Sequence, residues 1–286
     1  MIAYTEKLTH KQKFEILSEL KSSYGRTSLL LSGGGQLGFY HFGFIKQLIQ
    51  HKIMPKVVAG SSAGSLIVAA IGCYKKEDLL KRINKANWDL KVLEKKGKLM
   101  APVRKLLRFI SNGNLLDICT VQQTLLDIFG KITFKEAFQK TGNIINITIL
   151  DANKFESFQV LNYLTAPNVM IWSAASASYS LPGLFGPSKI YCKNQNGEVL
   201  EWLPGEKMFI DGSLDADLPI RRISEMFHTN YSIASQANPF VIPFMSRSKN
   251  KLASKKYFFW KVYKYFSYLI YSQIQHRSRQ LAKTGL

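Results

Sequence analysis

The chain has 286 residues, 46% of them apolar, with 18 Phe, 13 Tyr and 4 Trp. That is enough apolar material for one sizeable α/β domain or two small ones, and it excludes a wholly disordered chain. Lys and Arg number 39 against 19 Asp and Glu, a formal net charge of +20, so the partner is expected to be anionic, either nucleic acid or a phospholipid surface.

Taken in chain order, residues 9–23 read as a polar helix. Thr27–Leu31 is predicted to be a strand, followed by the glycine loop Gly33–Gly38 and a helix running to about His51. Lys56–Ala59 is the next strand, and beyond a sharp turn Gly64–Tyr74 is a helix. Helices are expected at Val121–Phe129 and Asn168–Ser176. Strands are expected at Ile144–Leu150, Ser157–Asn162, Met208–Ile210 and Tyr231–Ser235. Strands alternating with helices predict an α/β fold whose central sheet is mostly parallel and covered on both faces. The charge-poor stretches Val57–Tyr74 and Ser157–Ser188 are interrupted by Gly, Ser, Asn or Pro, so neither reads as a bilayer span. Ser157–Ser188 reads as a buried strand and helix more than as an acyl pocket.

The basic charge is concentrated. Residues 246–286 contain ten Lys or Arg and no Asp or Glu, and Leu90–Phe109 is a second basic block. The chain is therefore divided into a lead-in over 1–26, a main domain over 27–245 and a basic aromatic segment over 246–286. Cys73, Cys119 and Cys192 are widely spaced and odd in number, which suits a reducing compartment and neither a disulfide framework nor a metal clip. With no secretory leader expected either, the cytoplasm is the predicted location.

Two glycine-rich turns carry the chemistry. The first, Ser32-Gly33-Gly34-Gly35-Gln36-Leu37-Gly38, fits G-x-G-x-x-G through Gly33, Gly35 and Gly38. A dinucleotide site would need an acid at the end of the following strand, and that strand ends Val57-Val58-Ala59-Gly60. The second turn, Gly60-Ser61-Ser62-Ala63-Gly64, is G-x-S-x-G between a β-branched strand and an apolar helix, the context of a nucleophile elbow. Ser62 is the candidate nucleophile. The amides of Gly34 and Gly35 are the candidate oxyanion donors, because acyl transfer develops negative charge that fixed N–H groups must meet.

The candidate base is Asp211, at the end of the apolar strand in Met208-Phe209-Ile210-Asp211-Gly212-Ser213. Strand ends of a parallel sheet share one edge, and partial desolvation there would raise the basicity of the carboxylate. His228 is the one histidine placed where a Ser–acid–His order would want it, although its polar surroundings read as an exposed helix end. Asp215 and Asp217 read as turn and capping residues before Leu218-Pro219.

With these blocks in order, the sequence resembles the patatin-like acyl hydrolases: Gly33–Gly38 as oxyanion loop, Gly60–Gly64 as elbow, and Asp211-Gly212-Ser213 in place of the commoner D-G-G or D-G-A. Tyr24–Thr27, Gly38–Gly43, Leu161–Val169 and Asp217–Pro219 resemble the eukaryotic triacylglycerol-lipase branch more closely. The resemblance implies a three-layer sandwich and a Ser62–Asp211 dyad, with the amides of Gly33, Gly34 and Gly35 holding the oxyanion and no metal or organic cofactor. It also implies a neutral-lipid substrate. The alternatives are a phospholipase or lysophospholipase using the same dyad and, further off, a non-enzymatic lipid- or nucleic-acid-binding protein. Members of that branch carry a longer region before the glycine loop, so the chain is expected to be a piece of a longer lipase or a reduced form.

At helical spacing, residues 255–275 present a wide apolar and aromatic face. The expected lipid contact, on a droplet or on the endoplasmic reticulum, runs through Lys255, Lys256, Trp260, Lys261 and Lys264. Packing of that helix onto the domain is the competing reading. Without helix-turn-helix, zinc-finger or RNP signatures, nucleic acid is not expected as a partner.

Overall fold

The computed structural model describes residues 9–85, 118–152, 154–182, 184–203, 207–214 and 217–237. The basic block at Leu90–Phe109, Asp215, and the C-terminal segment with Lys255, Lys256, Trp260, Lys261 and Lys264 lie outside the described residues.

The sheet is built on short runs of β-branched and aliphatic residues. Strand β1 (Arg26–Leu31) pairs in parallel with β2 (Val57–Gly60), and β2 in parallel with β3 (Ile144–Asp151). All eight residues of β3, Ile-Ile-Asn-Ile-Thr-Ile-Leu-Asp, are buried, as expected of a central strand covered on both faces. Strand β4 (Lys154–Leu161) closes one side antiparallel to β3, and β8 (Thr229–Ser235) closes the other in parallel with β1, giving the order β4-β3-β2-β1-β8. A separate two-stranded ribbon joins β5 (Tyr191–Lys193) to β6 (Val199–Glu201).

One strand departs from the sequence expectation. Strand β7 (Phe209–Asp211) runs antiparallel to β3, pairing Asp211 with Ile149 and Phe209 with Asp151. It takes up the β3 edge where β2 leaves off, since β2 ends with Gly60 opposite Ile147. Asp211 therefore arrives from the opposite direction at a point two residues beyond the end of β2.

The helices follow from their sequences. Helix α1 (His10–Tyr24) is mostly exposed, α2 is His41–Gln50, and α3 (Ala63–Cys73) is apolar all round with every residue buried, the signature of a core helix. Helices α4 (Lys76–Asn84) and α5 (Ile118–Phe129) are amphipathic, and α6 (Phe134–Thr141) opens on a capping box. In that box Thr133 and Glu136 exchange side-chain-to-backbone hydrogen bonds at 2.8 and 3.2 Å. Helix α7 (Ile171–Ser178) is buried throughout, and its Ala and Ser residues let it lie close to α3 and β3. Helix α8 (Ile220–Phe227) ends at His228 in the left-handed conformation. All described residues belong to one compact unit that ends at Ala237. Among them, no helix is long and apolar enough to cross a membrane.

Candidate active site

The parallel strands β1 and β2 finish side by side, Leu31 opposite Gly60, and release the two glycine turns together. Ser62 caps α3 with φ 50° and ψ −126°, one of three non-glycine residues at positive φ among the described residues. Such a conformation costs about 1–3 kcal/mol and persists only where the surroundings enforce it. Here they do. The Ser62 amide donates to Ser178 Oγ at 3.0 Å, while Ser65 donates back to the Ser62 carbonyl through its amide at 3.0 Å and its hydroxyl at 2.6 Å. Gly64 has no room for a side chain, because a Cβ there would collide with the Leu31 carbonyl. The turn leaves Ser62 9% exposed, between a buried strand and a buried helix.

Asp211 is fully buried. Its Oδ1 accepts from the Ser213 amide at 2.8 Å, and its own amide donates to the Ser180 carbonyl at 3.1 Å. Gly212 and Ser213 thus form the short 3-10 turn Gly212–Leu214 that wraps the carboxylate. Burial pushes the carboxyl up to about 6 from 3.8, against the hydrogen bonds of Ser62 and Ser213, with a small further rise from Asp217. The Ser62 hydroxyl is close enough to act on the carboxylate, yet Oδ2 has no partner within full hydrogen-bonding geometry. A buried carboxylate within reach of a serine hydroxyl, with one oxygen that lacks a hydrogen-bond partner, suits a proton acceptor, since such contacts tighten only once substrate is bound.

The glycine loop lies against the nucleophile. Gly34, at φ 147°, and Gly35, at φ 56°, take conformations that a side chain resists, and a Cβ on Gly34 would strike the Ala237 carbonyl. Neither amide donates to an acceptor among the described residues. The Gly33 amide is different: it donates to Asp217 Oδ1 at 2.8 Å and is already occupied. Gly35 opens a 3-10 turn to Tyr40, in which Gly38 is buried against Ala63 of the elbow.

Two further side chains brace the loop. His41 is buried, its Nε2 facing the Ser32 carbonyl at 3.2 Å and its Nδ1 the Ser235 hydroxyl at 2.8 Å. Because a carbonyl only accepts, the proton sits on Nε2 and Ser235 donates to Nδ1. Burial lowers the His41 pKa, with Ser32 and Asp217 opposing, which favours the neutral ring. Asp217, read from sequence as a turn or capping residue, ties the Gly33 amide to the Ser61 hydroxyl, which reaches Oδ1 at 3.0 Å and the Asp217 carbonyl at 2.5 Å.

His228 is not brought to the site. It follows α8 and precedes Thr229, and its carbonyl accepts from the Arg26 amide at the starting edge of β1. Ser62 lies beyond the finishing edge, so the length of the six-residue β1, roughly 20 Å at about 3.3 Å per residue, separates them.

A family model described as patatin-like phospholipase matches residues 29–222, which span β1, both glycine turns and Asp211. The chain belongs to the patatin-like phospholipase family. Among its relatives, triacylglycerol lipase 4 of Saccharomyces cerevisiae is 41% identical over 239 residues, covering 82% of this chain and 26% of that protein. Triacylglycerol lipase SDP1L of Arabidopsis thaliana is 34% identical over 293 residues, covering 99% of this chain and 36% of its own length. Triacylglycerol lipase ptl3 of Schizosaccharomyces pombe is 33% identical over 247 residues, with 84% and 51% covered. The chain thus spans between about a quarter and a half of the length of these relatives.

Proposed function

We propose that the chain hydrolyses lipid acyl esters, with triacylglycerol as substrate, through a Ser62–Asp211 dyad. The observation that carries this reading is the nucleophile elbow at positive φ set beside a buried carboxylate with one free oxygen. The relatives' shared designation as triacylglycerol lipases supports the choice of substrate.

In this reaction Ser62 Oγ attacks the ester carbonyl carbon while its proton passes to the Asp211 carboxylate. The carbonyl oxygen becomes an oxyanion facing the unoccupied Gly34 and Gly35 amides, and collapse transfers the proton to the departing alcohol. Water then adds to the acyl-enzyme and yields its proton to Asp211, and fatty acid leaves as Ser62 regains a hydrogen. An uncharged, apolar substrate surface also suits a carboxylate whose pKa burial has raised, since excluding water keeps that base strong.

The test is fatty-acid release from triolein and from phosphatidylcholine by the wild-type chain and by Ser62→Ala. Triolein hydrolysis that disappears in Ser62→Ala is expected. Hydrolysis of phosphatidylcholine alone would transfer the same dyad to phospholipids, and an active Ser62→Ala would refute the dyad itself.

Attachment to a lipid droplet or to the endoplasmic reticulum membrane, from the cytoplasmic side, belongs to the same proposal. It rests on the ten basic residues and dense aromatics of residues 246–286, with Lys255, Lys256, Trp260, Lys261 and Lys264 as contacts. Removing residues 255–286 should lower activity on emulsified triolein far more than on a short soluble ester, and equal losses would count against it.

A further inference from the structure

Beyond the ends of β1 and β2 the chain separates into two turns that must cooperate. Ser61 keeps one backbone bond to the strand ends, its amide donating to the Leu31 carbonyl at 3.3 Å. Past that point, no hydrogen bond among the described residues runs directly between Gly33–Gly38 and Ser61–Ala63. The polar connection between them is Asp217, which stands 184 residues from Gly33 and 156 from Ser61 in sequence.

Three bonds meet on it. Oδ1 accepts the Gly33 N–H at 2.8 Å and the Ser61 hydroxyl at 3.0 Å, and the same hydroxyl lies 2.5 Å from the Asp217 carbonyl, so one proton is shared between two acceptors of a single residue. The packing matches. A Cβ added to Gly33 would stand 3.0 Å from Ser62 Cβ, 3.5 Å from Asp217 Oδ1 and 3.6 Å from Ser62 Oγ. Gly33 is therefore pressed between the nucleophile and the carboxylate.

We infer that Asp217 is a positioning residue, a latch that holds the glycine loop in register with the nucleophile elbow by gripping the Gly33 amide and the Ser61 hydroxyl. The inference rests on the Ser62–Asp211 reading and assigns Asp217 no contact with substrate. Fixing the Gly33 N–H fixes the Ser32–Gly33 peptide plane from which the loop departs, and so constrains the direction in which the Gly34 and Gly35 amides point. Oxyanion stabilisation depends on that direction, because donors must meet the oxygen where charge develops. A misplacement of about 1 Å can cost about a hundredfold in rate. The two donors also satisfy the latch carboxylate, which limits its repulsion of the nearby oxyanion.

The competing view is that Asp217 merely fills the Gly33 amide in the free enzyme and withholds a third oxyanion donor. The two views predict opposite signs. The experiment measures kcat and KM on a soluble p-nitrophenyl ester for wild type, Asp217→Ala, Asp217→Asn and Ser61→Ala. Each rate is normalised to the sites that a fluorophosphonate labels at completion, so unfolded protein is not counted.

The latch requires Asp217→Ala to lose about 10- to 100-fold in kcat with KM within about twofold. Asp217→Asn should recover to within about threefold of wild type, since its amide oxygen can accept both donors. Its acid limb should also move to lower pH, because the negative charge that raises the Asp211 pKa is gone. Ser61→Ala should lose a few-fold, and adding it to Asp217→Ala should cost little more, as two halves of one device are not additive.

Wild-type kcat per labelled site in Asp217→Ala, a rise in kcat, or an Asn variant as damaged as the Ala variant would each overturn the latch. If Asp217→Ala yields no labelled sites, Asp217→Asn and Ser61→Ala decide: an unaffected Ser61→Ala rate refutes it. Failure of the dyad looks different. It shows as activity surviving in Ser62→Ala, which none of the Asp217 or Ser61 variants can imitate.

Discussion

Replacing Asp211 by Asn should abolish turnover and at the same time stabilise the protein at neutral pH. The carboxyl is fully buried and its pKa is pushed up to about 6 from 3.8, with burial the largest cause. Since the folded-state value lies above the unfolded one, the stability attached to this group is complete below about pH 3.8 and declines as pH rises through 6. The gap is roughly two pKa units, or about 3 kcal/mol by which the ionised carboxylate disfavours the fold at pH 8. Asn keeps the Oδ1 acceptor for the Ser213 amide and matches the carboxylate in shape. The burial penalty of the charge disappears without opening a cavity.

Thermal melts of wild type and Asp211→Asn at pH 8 and pH 4 test this, alongside kcat on a soluble ester. At pH 8 the variant is expected to melt several degrees higher, up to about 10 °C at roughly 2–4 °C per kcal/mol for a domain of this size. At pH 4 most of the gain should vanish, because the wild-type carboxyl is then neutral in the fold. A variant no more stable than wild type at pH 8, or a gain independent of pH, would refute the burial argument. Retained turnover would refute the assignment of Asp211 as proton acceptor.

The same pKa sets the wild-type pH profile. The kcat/KM for a soluble ester should fall below about pH 6, reaching roughly a tenth of its plateau at pH 5, and a limb near the ordinary aspartate value would contradict it. His228→Ala should leave kcat within about twofold of wild type, because His228 sits at the opposite edge of the sheet; a loss as large as that in Asp211→Asn would restore the triad. Gly64→Ala should lower the yield of folded protein and slow turnover per folded site, since a methyl there must displace the Leu31 carbonyl against which the elbow is built. A normally folded, fully active Gly64→Ala would show that the elbow has slack.

What was legible in the sequence was what local pattern dictates. The aliphatic run Leu29-Leu30-Leu31 and the run Val57-Val58-Ala59 are strands, and the G-x-S-x-G between the second run and an apolar helix places Ser62. Thr133-x-x-Glu136 is an equally local signal, the capping box that opens α6. The direction of β7 was not legible. A three-residue strand has no directional pattern, and its antiparallel pairing is decided by the open length of β3 beyond Ile147. The role of Asp217 is hidden for a related reason: Asp before Leu-Pro is turn chemistry wherever it occurs, while its partners Gly33 and Ser61 come from turns far away in the chain. His41, within an apolar helix, declares its two partners only once β1 and β8 lie together.

The site holds two unfavourable features a few ångströms apart, a nucleophile at positive φ and a carboxylate that burial disfavours in its charged form. Either would relax if its surroundings could move, Ser62 to an ordinary helical start and Asp211 toward water. The sequence prevents both with small residues. Ala and Ser along α7 let that helix approach until Ser178 Oγ takes the Ser62 amide and the Ser180 carbonyl takes the Asp211 amide, so one buried segment clamps both members of the dyad. Larger side chains in α7 would add apolar contact but push the helix outward, releasing the strain together with the geometry that proton transfer needs. The plainness of Ser-Ala-Ala-Ser-Ala-Ser is thus a structural requirement of the chemistry.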